Sequence, residues 1–284
     1  MNSASNSVQI RLERRTSLYW RVTFDHPPLN IFGPETIPQL NEIVTALETD
    51  SDVKVVVFDS TVEGFFLTHY NFLAKLEDTT RLLPGATGLS PIPDMLVRLS
   101  RAPVVSIASI RGRASGVGSE LALACDMRFA SLERAILSQF EVGAGMVPGG
   151  GPMARLPRLI GRGRALEVPL GADDVPGDLA ERYGYVDRAL PDAELDAFIE
   201  ALATRIASFD KQVIVETKNF VNIASLPPRR RNRARVGRLH CVHSASRGPE
   251  PNRRVAGARL AQAGQRRKPA GAPRRSTPQL STEG

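Results

Sequence analysis

The stretch RGRASGVGSELALACDMRFAS (residues 111–131) places one carboxylate, Glu120, at the start of a segment that is otherwise apolar. A turn containing Gly116 and Gly118 precedes that carboxylate, and the apolar run PVVSIASI (residues 103–110) comes before the turn. This order predicts a buried strand, a turn and then a short helix. Glycine lets a backbone approach a ligand closely, and a helix N-terminus adds positive partial charge. The turn is therefore suited to stabilise a developing oxyanion.

A second acid, Glu141, lies in SQFEVGAGMVPGGG (residues 138–151), between a predicted strand and a glycine-rich loop. Taken alone, Glu120 fits a helix-start acid and Glu141 fits a surface acid at a strand end. Two acids beside glycine-rich backbone could instead share one water, as base and acid, if their surroundings separate their pKa values. The glycines are not followed by a Lys-Ser/Thr pair and do not follow a dinucleotide-binding order, which excludes both phosphate-binding motifs.

The rest of the body alternates predicted strands and helices. Apolar residues recur at helical spacing over residues 35–48 and 191–208. Residues 53–58 form a nearly continuous apolar run, which is typical of a strand buried on both faces. From there to about residue 93 the sequence predicts an irregular region, and a loop of this length is often a functional lid. The pattern indicates an α/β protein.

The net charge of +7 is unevenly distributed along the 284 residues. Residues 229–284, the basic tail, hold 15 of the 37 Lys and Arg residues but two of the 30 acidic ones. The body is therefore mildly acidic. The tail composition predicts disorder, and its few aromatic residues make a nucleic-acid partner unexpected. The same Arg, Pro, Gly and Ala bias is what a frame-shifted GC-rich reading would give.

Cysteine content and hydropathy restrict the setting of the chain. Its two cysteines, Cys125 and Cys241, provide neither a disulfide framework nor a metal-binding spacing. We therefore expect a reducing, cytoplasmic location. No signal peptide and no membrane association are expected, because the first residues lack an apolar segment and no apolar run approaches about 18 residues.

The two acid-bearing motifs and ALPDAELDAF resemble the crotonase superfamily, the enoyl-CoA hydratase/isomerase family, and the resemblance extends over residues 8–228. It implies an α/β crotonase (ClpP-like) spiral of repeated β-β-α units with a helical C-terminal region. The spiral core would cover residues 1–190, the helical region residues 191–228, and the basic tail residues 229–284. The implied ligand is an acyl-CoA thioester, with no cofactor beyond its coenzyme A and no metal. The implied assembly is a homotrimer or hexamer, which the atypical tail is expected to weaken.

Family positions carry over to individual residues. The two hydratase glutamates fall on Glu120 and Glu141. The backbone N–H groups of the oxyanion hole fall on His69 and Val117, where the family usually has alanine and glycine. The segment FFLTHYNFL (residues 65–73) departs from the family pattern FSAGADL, which alters this part of the site.

Further candidates surround these four residues. Substrate-binding positions implied by the resemblance are Phe65, Phe66, Gly116 and Gly149. The two phenylalanines are also compatible with a place in the core. Arginines that follow the glycine loop, Arg155, Arg158 and Arg162, are expected to be surface charges.

The implied reaction is the addition of water across the double bond of a 2-trans-enoyl-CoA. Glu141 would transfer the main proton, and Glu120 would hold and polarise the water. Two alternatives stay open from the sequence. One is a Δ3,Δ2-enoyl-CoA isomerase of the same fold, which uses a single glutamate. The other is a non-catalytic acyl-CoA-binding or RNA-binding member, because the first oxyanion motif is altered and the tail is basic.

Overall fold

The computed structural model describes residues 8–227, so the predicted basic tail lies outside the described residues. The strands are β1 Ile10–Arg14, β2 Tyr19–Phe24, β3 Val55–Ser60, β4 Phe65–Leu67, β5 Val105–Ile110, β6 Arg113–Ser115, β7 Met127–Ser131, β8 Ile136–Ser138, β9 Val175–Pro176 and β10 Arg188–Leu190. The α-helices are α1 Thr36–Thr49, α2 Leu76–Thr80, α3 Pro91–Arg101, α4 Val117–Ala124, α5 Pro152–Leu159, α6 Gly161–Gly171, α7 Gly177–Tyr183, α8 Asp192–Ala207 and α9 Lys211–Ser225. A 3₁₀ turn covers Glu141–Ala144.

Successive turns of the chain contribute strands to two sheets. The six-stranded sheet has the order β1-β2-β3-β5-β7-β10, and the four-stranded sheet has the order β4-β6-β8-β9. Each turn places its first strand in the six-stranded sheet and its second strand in the four-stranded sheet, and helices follow. The consecutive strands of these turns are β3 and β4, β5 and β6, and β7 and β8. Neighbouring turns pair in parallel, as in the alignment of Ile107 with Met127. This repetition of β-β-α units confirms the predicted α/β spiral.

The middle of the six-stranded sheet is buried on both faces, which explains the apolar run at residues 53–58. Along β3, Val56 and Phe58 join the core that contains α1, α3 and α4. Their neighbours Val55 and Val57 point to the opposite face, where they join a second core with Leu195 of α8. Side chains of a strand alternate between its faces, so a strand between two helical layers has no polar face.

The region predicted to be irregular up to residue 93 is more ordered than expected. It contains β4, α2 and the start of α3. Two prolines in the first turn of α3, Pro91 and Pro93, resemble loop punctuation in the sequence. Proline is nevertheless well suited to the first turn of a helix, where its missing N–H has no intrahelical acceptor. The buried side chains Met95, Leu96 and Leu99 then fix α3 against the core. No helix among residues 8–227 is long and apolar enough to cross a membrane.

The start of α4 lies directly against the end of β4. Gly118 N–H donates a hydrogen bond to the Thr68 carbonyl at 3.3 Å. A Cβ on Gly118 would overlap the carbonyl oxygen of Leu67. The small residues before Glu120 therefore allow a backbone-to-backbone contact between two turns of the spiral.

We predict that Gly118→Ala destabilises the protein by about 1–3 kcal/mol, because the added methyl group forces the α4 and β4 backbones apart. Gly163→Ala is the matched control, because a Cβ on this helical glycine meets nothing within 4 Å. Urea unfolding followed by circular dichroism measures both changes. Equal stability of the two variants would contradict the close packing of α4 on β4.

Candidate active site

The N-terminus of α4 presents one main-chain donor. Gly116 precedes the helix with a φ of +53°, and its N–H donates to the Ser138 carbonyl at 3.2 Å. Its carbonyl accepts the hydrogen bond of Glu120 N–H at 2.9 Å. Because the carbonyl and the N–H of a trans peptide point in opposite directions, the Val117 N–H points out of the helix end. That N–H has no acceptor among residues 8–227, as an oxyanion donor requires.

The hydrogen bonds of the loop after β4 determine which amide faces α4. The Thr68 carbonyl accepts from Gly118 N–H, on the α4 side. The His69 carbonyl accepts from Phe32 N–H at 3.1 Å. The peptides of this loop are trans, so each following N–H points the opposite way. The His69 N–H therefore points away from α4, whereas the Tyr70 N–H points away from Phe32.

The Phe32 segment and α4 lie on opposite sides of this loop. Thr68 N–H donates to the Asn30 carbonyl at 2.9 Å, whereas the carbonyl of the preceding residue, Leu67, faces Gly118. The N–H of Tyr70 therefore faces the α4 side, and it has no acceptor among the described residues. These directions correct the prediction of His69 N–H as the second oxyanion donor in favour of Tyr70 N–H. The sequence offered no signal for this, because peptide direction depends on the partners of the loop.

Glu120 is buried at the centre of the site. Its side chain is 2% exposed, and its Oε1 accepts a hydrogen bond from Gly150 N–H at 2.6 Å. Burial raises the pKa of the Glu120 carboxyl to about 8, and the nearby Glu141 carboxylate adds to the increase. The Gly150 hydrogen bond and the charge of Arg155 act in the opposite direction. Glu120 thus titrates near neutral pH instead of staying ionised like a surface acid.

Glu141 faces the start of α4 from the 3₁₀ turn after β8. A Cβ on Gly116 would lie 3.3 Å from the Glu141 Oε1. The Glu141 Oε2 is buried without a hydrogen-bond partner among the described residues. Burial raises the pKa of the Glu141 carboxyl to about 7. Glu120 and Glu141 therefore form a coupled pair that holds about one proton near neutral pH.

An aromatic cluster borders the pair of acids. The His69 ring stacks on Phe72 with 5.1 Å between ring centroids and meets the edge of Phe140 at 5.5 Å. The edge of Phe140 also reaches Gly116, where an added Cβ would lie 3.2 Å from its Cε1. Phe72 is half exposed. The His69 side chain is thus part of a wall beside the acids, although its N–H points away from α4.

The remaining predicted site residues divide between site and core. Gly116 lies beside His69 and Glu141, and its substrate-binding role stays a prediction. Gly149 is partly buried and precedes the Glu120 partner in the chain, and its role stays a prediction. Phe65 is also partly buried, so its role stays a prediction. Phe66 has no exposed surface and packs edge-to-face on Phe24 at 5.6 Å, so this residue belongs to the core.

Arg155 is the largest departure from the sequence prediction. It is 8% exposed, whereas a surface charge was expected. Its Nη1 donates to the Gly150 carbonyl, and burial lowers its pKa to about 10. The available signal was helical spacing: Pro152, Arg155 and Leu156 lie at positions i, i+3 and i+4 of α5 and share its buried face. Within residues 8–227, no group of three or more His, Cys, Asp or Glu side chains could hold a metal ion.

The spiral of β-β-α turns is shared with the crotonase-fold enoyl-CoA hydratases among the solved structures similar to this chain. The family model for enoyl-CoA hydratase/isomerase matches residues 15–244. The chain belongs to this family.

Individual relatives agree with this assignment. The chain is similar to the structure of a candidate enoyl-CoA hydratase from Streptomyces avermitilis, with 39% identity, a TM-score of 0.75 and 92% of each chain covered. It is 32% identical to a crotonyl-CoA hydratase of Syntrophomonas wolfei, over 68% of this chain and 74% of the relative. It is 28% identical to a short-chain-enoyl-CoA hydratase of Clostridium acetobutylicum, over 76% of this chain and 81% of the relative.

We predict that the free energy of unfolding of Glu120→Gln, relative to that of wild type, increases by at least about 1 kcal/mol as pH rises from about 5 to 8. The raised pKa means that folded wild type binds more protons than unfolded wild type in this window, so its stability falls as pH rises. Glutamine removes this loss and can still accept the Gly150 hydrogen bond. Thermal unfolding across this pH range measures the difference. The exposed Glu216→Gln is the control, and a difference independent of pH for Glu120→Gln would contradict the raised pKa.

Proposed function

We propose that the protein is an enoyl-CoA hydratase that adds water across the double bond of a 2-trans-enoyl-CoA thioester to give a 3-hydroxyacyl-CoA. The observation that carries this proposal is the pairing of the buried Glu120 with the partly buried Glu141, both titrating near neutral pH, beside main-chain N–H groups without acceptors among the described residues. The coenzyme A belongs to the substrate, and the chemistry requires no further cofactor. The names of the relatives support acyl-CoA substrates of this class.

The main-chain amides take up the charge that develops on the substrate. In the proposed complex, the thioester oxygen accepts hydrogen bonds from the Val117 and Tyr70 N–H groups. As water adds, negative charge moves onto this oxygen and an enolate forms. Fixed donors that need no reorganisation stabilise such charge strongly, and loss of one donor typically costs about 10²–10³ in rate. The N-terminal end of α4 adds the positive end of its helix dipole.

The two glutamates exchange protons with the substrate and the water. Glu120 holds the water and accepts its proton while the hydroxyl group bonds to C3. Glu141 donates a proton to C2, which converts the enolate to the 3-hydroxyacyl-CoA thioester. In the reactive form Glu120 is ionised and Glu141 is protonated, which is the less populated arrangement of a single proton because the pKa of Glu120 is the higher of the two. Glu120 gains one proton and Glu141 loses one, so the pair regains this form when the proton on Glu120 moves to Glu141. A pair that holds one proton suits this exchange, because one member is an acid while the other is a base.

The isomerase alternative has one specific observation in its favour. Glu120 is almost fully buried and bound to Gly150, whereas the Glu141 Oε2 has no partner. A Δ3,Δ2-enoyl-CoA isomerase would use Glu141 alone to move a proton between C2 and C4. This reaction takes up no water, so its product is distinguishable from that of hydration.

We also propose that two copies of the chain associate through α9. Ile214 is the buried residue of this helix. Its exposed large apolar side chains are Val213, Phe220, Val221 and Ile223. An exposed apolar stripe of this kind fits a contact with a second copy. The trimer or hexamer implied by the family resemblance stays a prediction, as does the cytoplasmic location.

We predict that wild type hydrates crotonyl-CoA and that Glu120→Gln and Glu141→Gln each lower kcat by about 10²–10⁴, the usual contribution of a positioned acid or base. Loss of enoyl absorbance measures hydration, and mass spectrometry identifies the product by its gain of one water. Glu181→Gln, which changes an exposed acid on α7 away from the site and from α9, should retain full activity.

A 3-enoyl-CoA substrate separates the two reactions. Conversion to the 2-enoyl product without hydration, retained in Glu120→Gln and lost in Glu141→Gln, would favour the isomerase. Saturable binding of acyl-CoA with no turnover of either substrate would favour the non-catalytic member. Full hydration by both glutamate variants would exclude the proposed roles of the acids.

A further inference from the structure

Arg155 makes three hydrogen bonds inside the protein. Its Nη1 donates to the Gly150 carbonyl at 3.0 Å. Its Nη2 donates to the Leu96 carbonyl at 3.1 Å and to the Ser100 hydroxyl at 3.2 Å. The guanidinium group thus joins α3 to the loop before α5. An arginine rarely takes a place this buried without a charged partner, because removing its charge from water is costly.

Gly150 connects this arginine to Glu120. The Gly150 carbonyl accepts from Arg155, and its N–H donates to the Glu120 Oε1 at 2.6 Å. A Cβ on Gly150 would overlap the Glu120 carboxylate. A second connection runs through Ser100, whose hydroxyl contacts the carbonyl of Ala124 at the end of α4, at 2.9 Å. Arg155 therefore fixes both the loop that binds Glu120 and the helix that carries it.

The charges around Glu120 make Arg155 its counter-charge. Among the described residues, the charged groups that act on Glu120 are the like charge of Glu141 and the opposite charge of Arg155. The Tyr185 hydroxyl, which hydrogen-bonds Ser119 at 2.6 Å, is a further titratable group beside the pair.

The other cations near Arg155 have their own partners. Arg128 pairs with Asp187 at 2.9 Å, and Arg101 donates to the Pro227 carbonyl at 3.2 Å. Both repel the charge of Arg155, whereas the negative charge of Glu120 favours it. Glu120 is therefore the carboxylate whose charge acts on the buried guanidinium group.

We propose that Arg155 is a positioning residue that fixes the Glu120 carboxylate through Gly150 and supplies the counter-charge that keeps it able to ionise in its buried place. Arg155 does not contact the substrate in this proposal. Its role in catalysis rests on the proposed function, but its effect on Glu120 does not. Burial and Glu141 both favour the protonated form of Glu120, and Arg155 opposes them. Removal of the arginine charge should therefore raise the pKa of Glu120 further.

The direct test is titration of Glu120 by NMR in protein labelled with ¹³C at the glutamate carboxyl carbon, with the signal assigned by its absence from Glu120→Gln. We expect Arg155→Gln to shift the midpoint of Glu120 upwards by at least one pH unit. Arg155→Lys, which keeps the charge, should stay within about half a unit of wild type. Arg158→Gln is the matched control, because Arg158 lies on the exposed face of the same helix.

Arg155→Met is the second variant if Arg155→Gln does not fold, because methionine places no polar side chain in this buried position. A Glu120 midpoint that is unchanged in the folded neutral variant, or that rises equally in Arg155→Lys, would overturn the proposal. This readout needs no substrate, so it stands even if hydration is not the reaction.

The pH profile of kcat provides the second readout. If hydration is the reaction, the limb that reports Glu120 should move upwards with the same variants, whereas Arg155→Lys should lower kcat and leave the limb in place. A lysine carries the charge but lacks the planar fork that reaches Gly150 and Leu96 together. A fall in kcat with no movement of the limb in the neutral variant would indicate a merely structural role and would count against the counter-charge.

Discussion

The backbone contact between α4 and the end of β4 is the constraint on which the rest of the site depends. Gly118 has no side chain, so its N–H reaches the Thr68 carbonyl and its Cα lies against Leu67. This contact sets the N-terminus of α4 beside the loop that contains Tyr70. It brings together amides from two turns of the spiral that are about fifty residues apart in sequence. A bulkier residue at this position would overlap the Leu67 carbonyl and push the two turns apart.

Removal of the Glu120 and Glu141 carboxyls from water costs stability and raises the pKa of both groups. A carboxylate in an apolar interior favours its protonated form, and two carboxylates close together favour it more. Glu120 and Glu141 therefore titrate near neutral pH, where a solvated acid would stay ionised. Arg155 limits this effect at Glu120, and the Gly150 N–H gives the carboxylate a fixed direction. The buried Arg155 and the two acids together keep a proton available near neutral pH.

Much of the fold was predictable from the sequence, because local residue patterns determine several of its strands and helices. The apolar run at β3, the helical spacing of α1 and α8, and the turn before Glu120 each specify their own element. Helix α3 was missed, since its two early prolines resemble a loop. Both acids were found because each is an isolated charge beside glycines. The site details depend on contacts distant in sequence: the peptide directions that favour Tyr70 over His69, the burial of Phe66, and the inward direction of Arg155.

The most direct test of the central claim is a crystal structure of the protein with an unreactive enoyl-CoA analogue. The account predicts that the thioester oxygen lies within about 3.2 Å of the Val117 and Tyr70 nitrogens, the range of an N–H···O hydrogen bond. It also predicts that the Glu120 and Glu141 carboxylates face C2 and C3 from one side. A thioester oxygen bound elsewhere, or carboxylates directed away from the acyl chain, would contradict it.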